Sequence, residues 1–292
     1  MTEFNGYDCV ELANKTVRLL VTRSVGPRII SLSMNGGDNL FAELPNFVSQ
    51  RPDGKEFHFL GGHRLWHAPE NMPRTYALDN EPVEILSVEN GLKVIQPVED
   101  QTGIQKTLEI TLVGEQPRIT IRHMLTNQGL WSVECAPWAI TQMRTGGVAI
   151  LPMSQETTGL LPNRSFALWP YASINNANVK LGDRYIQISA KMKNPFKVGF
   201  ANPRGWLGYW LAGTLFVKRA EYFPQAAYYD MGSSSECYCN DKFLELETLA
   251  PITKIEPGAS VTHTETWELY ANVDFPGDED EIEAMVKKLG LG

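Results

Sequence analysis

Three of the five histidines fall within ten residues, in His58-Phe59-Leu60-Gly61-Gly62-His63-Arg64-Leu65-Trp66-His67-Ala68-Pro69-Glu70. His63 and His67 have the i, i+4 spacing of a helical metal pair, but Gly61-Gly62 and Pro69 argue against a helix there. On a strand, positions 63, 65 and 67 would share one face and 58 would lie on the other. Metal ligation wants three or four convergent ligands, and this segment alone does not supply them, so no metal is assigned. The plain reading is a set of surface or capped histidines on a loop. The functional reading is a polar ligand loop: Gly-Gly lets the backbone approach closely, His63 and Arg64 donate hydrogen bonds, and Trp66 offers an aromatic face.

A second group lies in Phe243-Leu244-Glu245-Leu246-Glu247-Thr248-Leu249. Strand alternation puts Glu245 and Glu247 on one face, about 6.6–7 Å apart, with Leu244 and Leu246 opposite. Two such acids are usually the solvent side of a half-buried strand. In a cleft, mutual repulsion and partial burial would raise one pKa and produce a general base. The spacing superficially matches an inverting glycosidase, but those carboxylates flank the sugar from opposite sides.

The third group is aromatic. Seven tryptophans include Trp66, Trp138, Trp169, Trp206 and Trp210. Most belong in a core, yet those in Gly/Pro-marked stretches can present a flat ring to the apolar face of a pyranose. Asp230, Arg144, Lys197 and Lys218 are candidates to bind its hydroxyls. Cys237-Tyr238-Cys239 puts two thiols on one strand face without a matching Cys/His pair, which reads as packed or half-exposed thiols. There is no dinucleotide fingerprint, Walker loop, His-Glu-x-x-His or Gly-x-Ser-x-Gly.

Short apolar runs separated by turn signals must position these groups. Examples are Val17–Val21 and Arg28–Met34 ahead of Asn35-Gly36-Gly37-Asp38, read as a hairpin turn, and the runs flanking Asn90-Gly91. Further runs at Thr107–Val113, Arg118–Leu125, Phe243–Leu249 and Ser260–Tyr270 complete an antiparallel all-β sandwich. One helix is signed at 278–290: Asp278 as N-cap, Glu281 three residues on, Ile282, Met285, Val286 and Leu289 on one face, and Gly290 at the end. The 292 residues carry a net charge of −8, without a basic stripe, so nucleic acid is not an expected partner. No apolar run is long enough for a membrane span. The N-terminus reads as no signal peptide and four cysteines form no disulfide framework, so the expectation is a cytoplasmic protein read as one domain over 1–292.

Several segments, in order along nearly the whole chain, resemble the galactose mutarotase-like superfamily, which includes the aldose epimerases. They are Val25–Leu32 with Asn39-Leu40-Phe41, Gly61-Gly62, Leu125–Gly129, Leu246-Glu247-Thr248, and Pro257-Gly258 with Thr266–Leu269. The resemblance implies a β-supersandwich with a short C-terminal helix and a carbohydrate site on one concave face. It implies a cofactor-independent, metal-free mutarotase or epimerase acting on a small-molecule carbohydrate, as monomer or homodimer. In that family a glutamate is the base and a histidine the acid. Glu247 matches the glutamate. The family's acid falls in a stretch matching Ala136–Met143, which holds no histidine here, so His63 or His58 would substitute. Substrate binding would fall to Arg64, Trp66, His67, Glu245, Asp230, Trp138 and Arg144. The alternatives are a non-catalytic carbohydrate-binding protein on the same fold, or a glycosidase or lyase.

Overall fold

The alternating runs become two antiparallel sheets, of 12 and 10 strands, in the computed structural model, which describes residues 2–291. Two expected hairpins are present. Glu84–Val88 pairs with Gly91–Ile95 around Asn90, whose φ is 55°, and Ile104–Leu112 pairs with Arg118–Asn127. The 35–38 turn forms, with Gly36 at φ 77°, but it closes no hairpin. Arg28–Met34 instead pairs with Val17–Thr22 on one side and Glu56–Ala68 on the other.

The sheets pack face to face. Leu19, Val21, Leu65, Leu244 and Leu246 of the first meet Ile110, Ile121, Trp267 and Leu269 of the second. Each such side chain contributes roughly 1.5–3 kcal/mol on burial. Cys237 and Cys239 join this core as free thiols. The C-terminal helix, Glu279–Leu289, packs Ile282, Met285 and Val286 onto Ile150, Trp206, Leu215 and Val217. Asp278 caps it by accepting from the amides of Asp280 and Glu281, and Gly290 ends it in the left-handed conformation. No helix among the described residues is long and apolar enough to cross a membrane.

The core is not wholly apolar. Lys218 of the second sheet, with no solvent exposure, donates to Ala139 O, Thr141 Oγ1 and Leu246 O of the first at 2.9–3.0 Å, and pairs with Glu265 at 2.9 Å. His63 meets His123 across the gap, and Thr248 contacts both His263 and Glu265. A buried charge is tolerated only when paired and hydrogen-bonded in this way.

Candidate functional site

Five adjacent strands present one face away from the core: Glu56–Ala68, Val133–Arg144, Phe243–Leu249, Ser235–Cys239 and Phe196–Phe200. Register brings their chemistry together. Ile140 pairs with Arg64 on one side and Glu247 on the other, and Trp138 pairs with Trp66. Glu236 lies opposite Glu247, Tyr238 opposite Glu245, and Lys197 opposite Tyr238. The double glycine, expected in a loop, lies inside the Glu56–Ala68 strand as a local irregularity. Leu60, Gly61 and Gly62 all have positive φ. A Cβ at Gly61 would lie 1.8 Å from Ala42 O, and one at Gly62 would lie 2.2 Å from Ile29 O. Close backbone approach, rather than flexibility, requires glycine at both positions. Gly62→Ala is expected to cost about 3 kcal/mol, from backbone strain plus the clash, read as a lowered denaturation midpoint.

The five strands floor a cavity of about 330 Å³. Its walls are the rings of Phe47, Phe59, Trp66, Tyr76, Trp138, Tyr171, Tyr238 and Phe243, with Arg64, Glu70, Lys197 and Glu245 among them. That size and lining suit a small organic ligand. A wider hollow of about 600 Å³ lies along residues 153–166. Its charged groups, Glu156 and Arg164, are exposed, so the ionisable chemistry is concentrated in the smaller cavity.

Glu245 is the reactive feature. Its Oε1 accepts from Arg64 Nη2 at 2.9 Å and Gln142 Nε2 at 3.0 Å, while Oε2 makes no protein hydrogen bond. Burial pushes its pKa up to about 7, with Arg64 opposing and Glu247 reinforcing. Arg64 is held over the faces of Phe59 and Trp66, at 5.1 and 4.4 Å.

Lys197 is the second feature. Its ammonium lies between the rings of Trp138 and Trp169, at 4.7 and 4.6 Å. It contacts Glu236 Oε2 at 2.7 Å and Glu247 Oε2 at 3.0 Å. Burial opposes its charge, but the two carboxylates outweigh burial and hold its pKa well above the ordinary lysine value. Glu247 also accepts from Trp138 Nε1 at 2.8 Å and has no solvent exposure.

Solved structures match this sheet arrangement. A TPR-domain containing protein from Parabacteroides distasonis is 14% identical with a TM-score of 0.64, over 92% of this chain and 48% of that one. The chain thus spans about half of that protein's length. The Slr1438 protein from Synechocystis is 10% identical with a TM-score of 0.60, over 94% and 99%. A galactose mutarotase-like protein from Lactobacillus casei is 10% identical with a TM-score of 0.57, over 90% and 100%.

The chain has the galactose mutarotase-like fold.

No protein-family profile and no curated protein sequence matches it.

On this mutarotase-like sheet, strand parity separates the expected site residues. Arg64, Trp66, Trp138 and Glu245 line the cavity, and Glu247 lies beneath Lys197 and Trp138. His63, expected as the acid facing Glu247, points the other way. Its Nδ1 is 2.9 Å from Thr141 Oγ1, and its Nε2 is 2.7 Å from His123 Nε2. Burial first, and the neighbouring His123, hold its pKa well below the usual histidine value. A neutral ring on the core side cannot protonate a ligand in the cavity. His67 also faces away, toward Glu99. His58 is half exposed beside Glu56, at 4.0 Å. Asp230 lies in a surface hollow with Trp169 and Met231, outside the cavity. Arg144 lies at the end of its strand, paired with Asp38 at 3.7 Å. His63, His123 and Glu265 place ligand atoms within 4.8 Å of one another, and Lys218 already brings the positive charge that a cation would supply there.

Sequence reasoning named Lys197 only among general hydroxyl binders, and it missed Glu236 and Tyr238. The signal was present. If Cys237 and Cys239 face the core, Glu236 and Tyr238 must face the cleft.

Proposed function

We propose that the protein is a cofactor-independent isomerase that opens and recloses the ring of a sugar or sugar derivative, with Glu245 as general base. The observation that carries this reading is a buried carboxyl with a pKa near 7 and one free oxygen, set in an aromatic cavity. A base poised near working pH is the most efficient. Flat rings such as Trp66 and Tyr238 would pack on the apolar face of a pyranose. Glu245 would take the anomeric hydroxyl proton as the ring C–O bond breaks, and the ring oxygen would receive a proton from a donor. Lys197 lines the cavity and donates to Glu247 Oε2 at 3.0 Å; its high pKa suits it to steady the ring oxygen by a hydrogen bond, and the transferred proton would come from solvent. Rotation about the adjacent C–C bond and reversal of both transfers would yield the other anomer, with no net proton change.

Among the described residues no histidine faces this cavity, which favours one competing reading: a carbohydrate-binding protein without catalysis. Polarimetry of freshly dissolved α-sugars and sugar derivatives, alongside calorimetry, separates the two. Acceleration of anomer exchange supports the isomerase, and binding without acceleration for any bound sugar leaves the binding protein. For the isomerase, Glu245 acts only when ionised. The rate is therefore expected to rise about tenfold per pH unit below its pKa near 7 and to level off above it. A rate flat between pH 5 and pH 8 would rule out Glu245 as the base.

A further inference from the structure

The Glu56–Ala68 strand has a second hollow behind it, of about 450 Å³, reached from His67 rather than Trp66. Arg74, Thr102, Ile104, Val133 and Cys135 also line it. None of these residues lines the aromatic cavity, although Glu70 and Tyr76 of the same connecting segment do. The hollow therefore shares a wall with the first cavity but not its chemistry.

The His67 ring is fixed by a buried relay. Its Nε2 lies 3.4 Å from Glu99 Oε2, and Glu99 also holds Lys106 Nζ and the Thr102 hydroxyl, each at 2.5 Å. Burial opposes the Glu99 charge, but Lys106 and His67 outweigh it and bring its pKa to about 2. Burial holds His67 below the usual histidine value despite Glu99. The neutral ring then donates Nε2–H to the carboxylate, which leaves Nδ1 as a lone-pair acceptor. No described residue hydrogen-bonds to Nδ1.

Arg74 supplies the opposite character. It donates Nη2–H to Pro69 O, its buried Nε has no partner, and no described carboxylate pairs with it. Gln101 and Thr102 add polar groups, and the remaining wall is apolar, from Pro73, Ile104, Val133 and Cys135. A single unpaired guanidinium matches one negative charge. A phosphate dianion would leave a charge unmatched against these side chains.

We propose that this hollow binds a small hydroxycarboxylate with an apolar body, its carboxylate on Arg74 and its hydroxyl donating to His67 Nδ1. The proposal stands apart from any reaction in the aromatic cavity. Mandelate is the test probe, with phenylacetate as the same molecule lacking the hydroxyl. Calorimetry on the full chain is expected to show mandelate binding, with phenylacetate about fivefold weaker or more. Arg74→Gln is expected to weaken mandelate about tenfold or more. Val133→Phe, which fills the hollow without removing Arg74, is expected to abolish binding while the circular dichroism spectrum is unchanged. Glu245→Gln is expected to leave mandelate binding as it was. The His67 Nδ1 nitrogen resonance should shift on saturation. Absence of mandelate binding to the wild-type chain would overturn the proposal, as would equal affinities for the two acids. So would binding that survives both hollow variants, or binding lost in Glu245→Gln, which would place the probe in the first cavity.

Discussion

Glu245→Gln is expected to lower kcat for anomer exchange by about a hundredfold to ten-thousandfold, with sugar affinity by calorimetry little changed. Glutamine retains the oxygen that accepts from Arg64 and Gln142, so the cavity keeps its shape. What disappears is the group that takes the proton. The same variant carries a stability signature of fixed sign. In the folded chain the Glu245 pKa is raised from an ordinary 4.5 to about 7. Between those values the folded state holds a proton that the unfolded state has released, so this group's contribution to stability falls as pH rises through the window. Above pH 7 the ionised carboxylate costs roughly 3 kcal/mol. Glu245→Gln removes that cost but also the anionic partner of the buried Arg64, so what is expected is a midpoint that rises relative to the wild type as pH goes from 5 to 8. A relative midpoint that stayed flat between pH 5 and pH 8 would show that Glu245 does not titrate in that window. Glu247→Gln is expected to act differently: its carboxylate is buried and bonded to Trp138 and Lys197, so stability should change before catalysis does.

Lys197→Met is expected to destabilise the fold by about 3–5 kcal/mol at neutral pH, because it leaves two buried carboxyl groups without their cation. Chemical denaturation would show the loss as a lower midpoint with an unchanged slope. Adding Glu236→Gln to Lys197→Met should recover part of it, by removing one of the two stranded acids. If Lys197→Met were as stable as the wild type, the three groups would not form the unit their distances imply. Lys197→Arg keeps the charge but changes its shape. The slot between Trp138 and Trp169 is filled by a compact ammonium, so arginine should restore only part of the stability.

Much of this site was legible in the sequence because a strand has period two. Glu245 and Glu247 share a face, and Leu244 and Leu246 lie in the core, as alternation requires. The same rule applied to residues 63–67 separates His63 and His67 from Arg64 and Trp66. Gly61-Gly62 obscured it, because adjacent glycines read as a loop, in which parity does not apply. The glycines instead answer close contacts with Ala42 and Ile29, residues near in space but distant in sequence. No local pattern announces such contacts. The helix at Glu279–Leu289 was legible at both ends because its caps are local. The partners of Lys197 were not. Glu236 and Glu247 come from two other strands, and only sheet order places them beside it. The residues that raise the Glu245 pKa were hidden for the same reason, apart from Glu247 on its own strand.

Lys218 acts as a dowel between the two layers. Its backbone belongs to one sheet, and three of its oxygen partners belong to the other. Sliding one layer past the other by a single residue, about 3.3 Å, would pull the ammonium off all three at once and leave it buried with Glu265 as its one remaining partner. Shear between the layers is therefore closed as a mode of motion. Any adjustment that admits or releases a ligand must come from the covering segments, such as the one bearing Glu70 and Tyr76 or the one bearing Trp169 and Tyr171. The floor beneath them stays rigid.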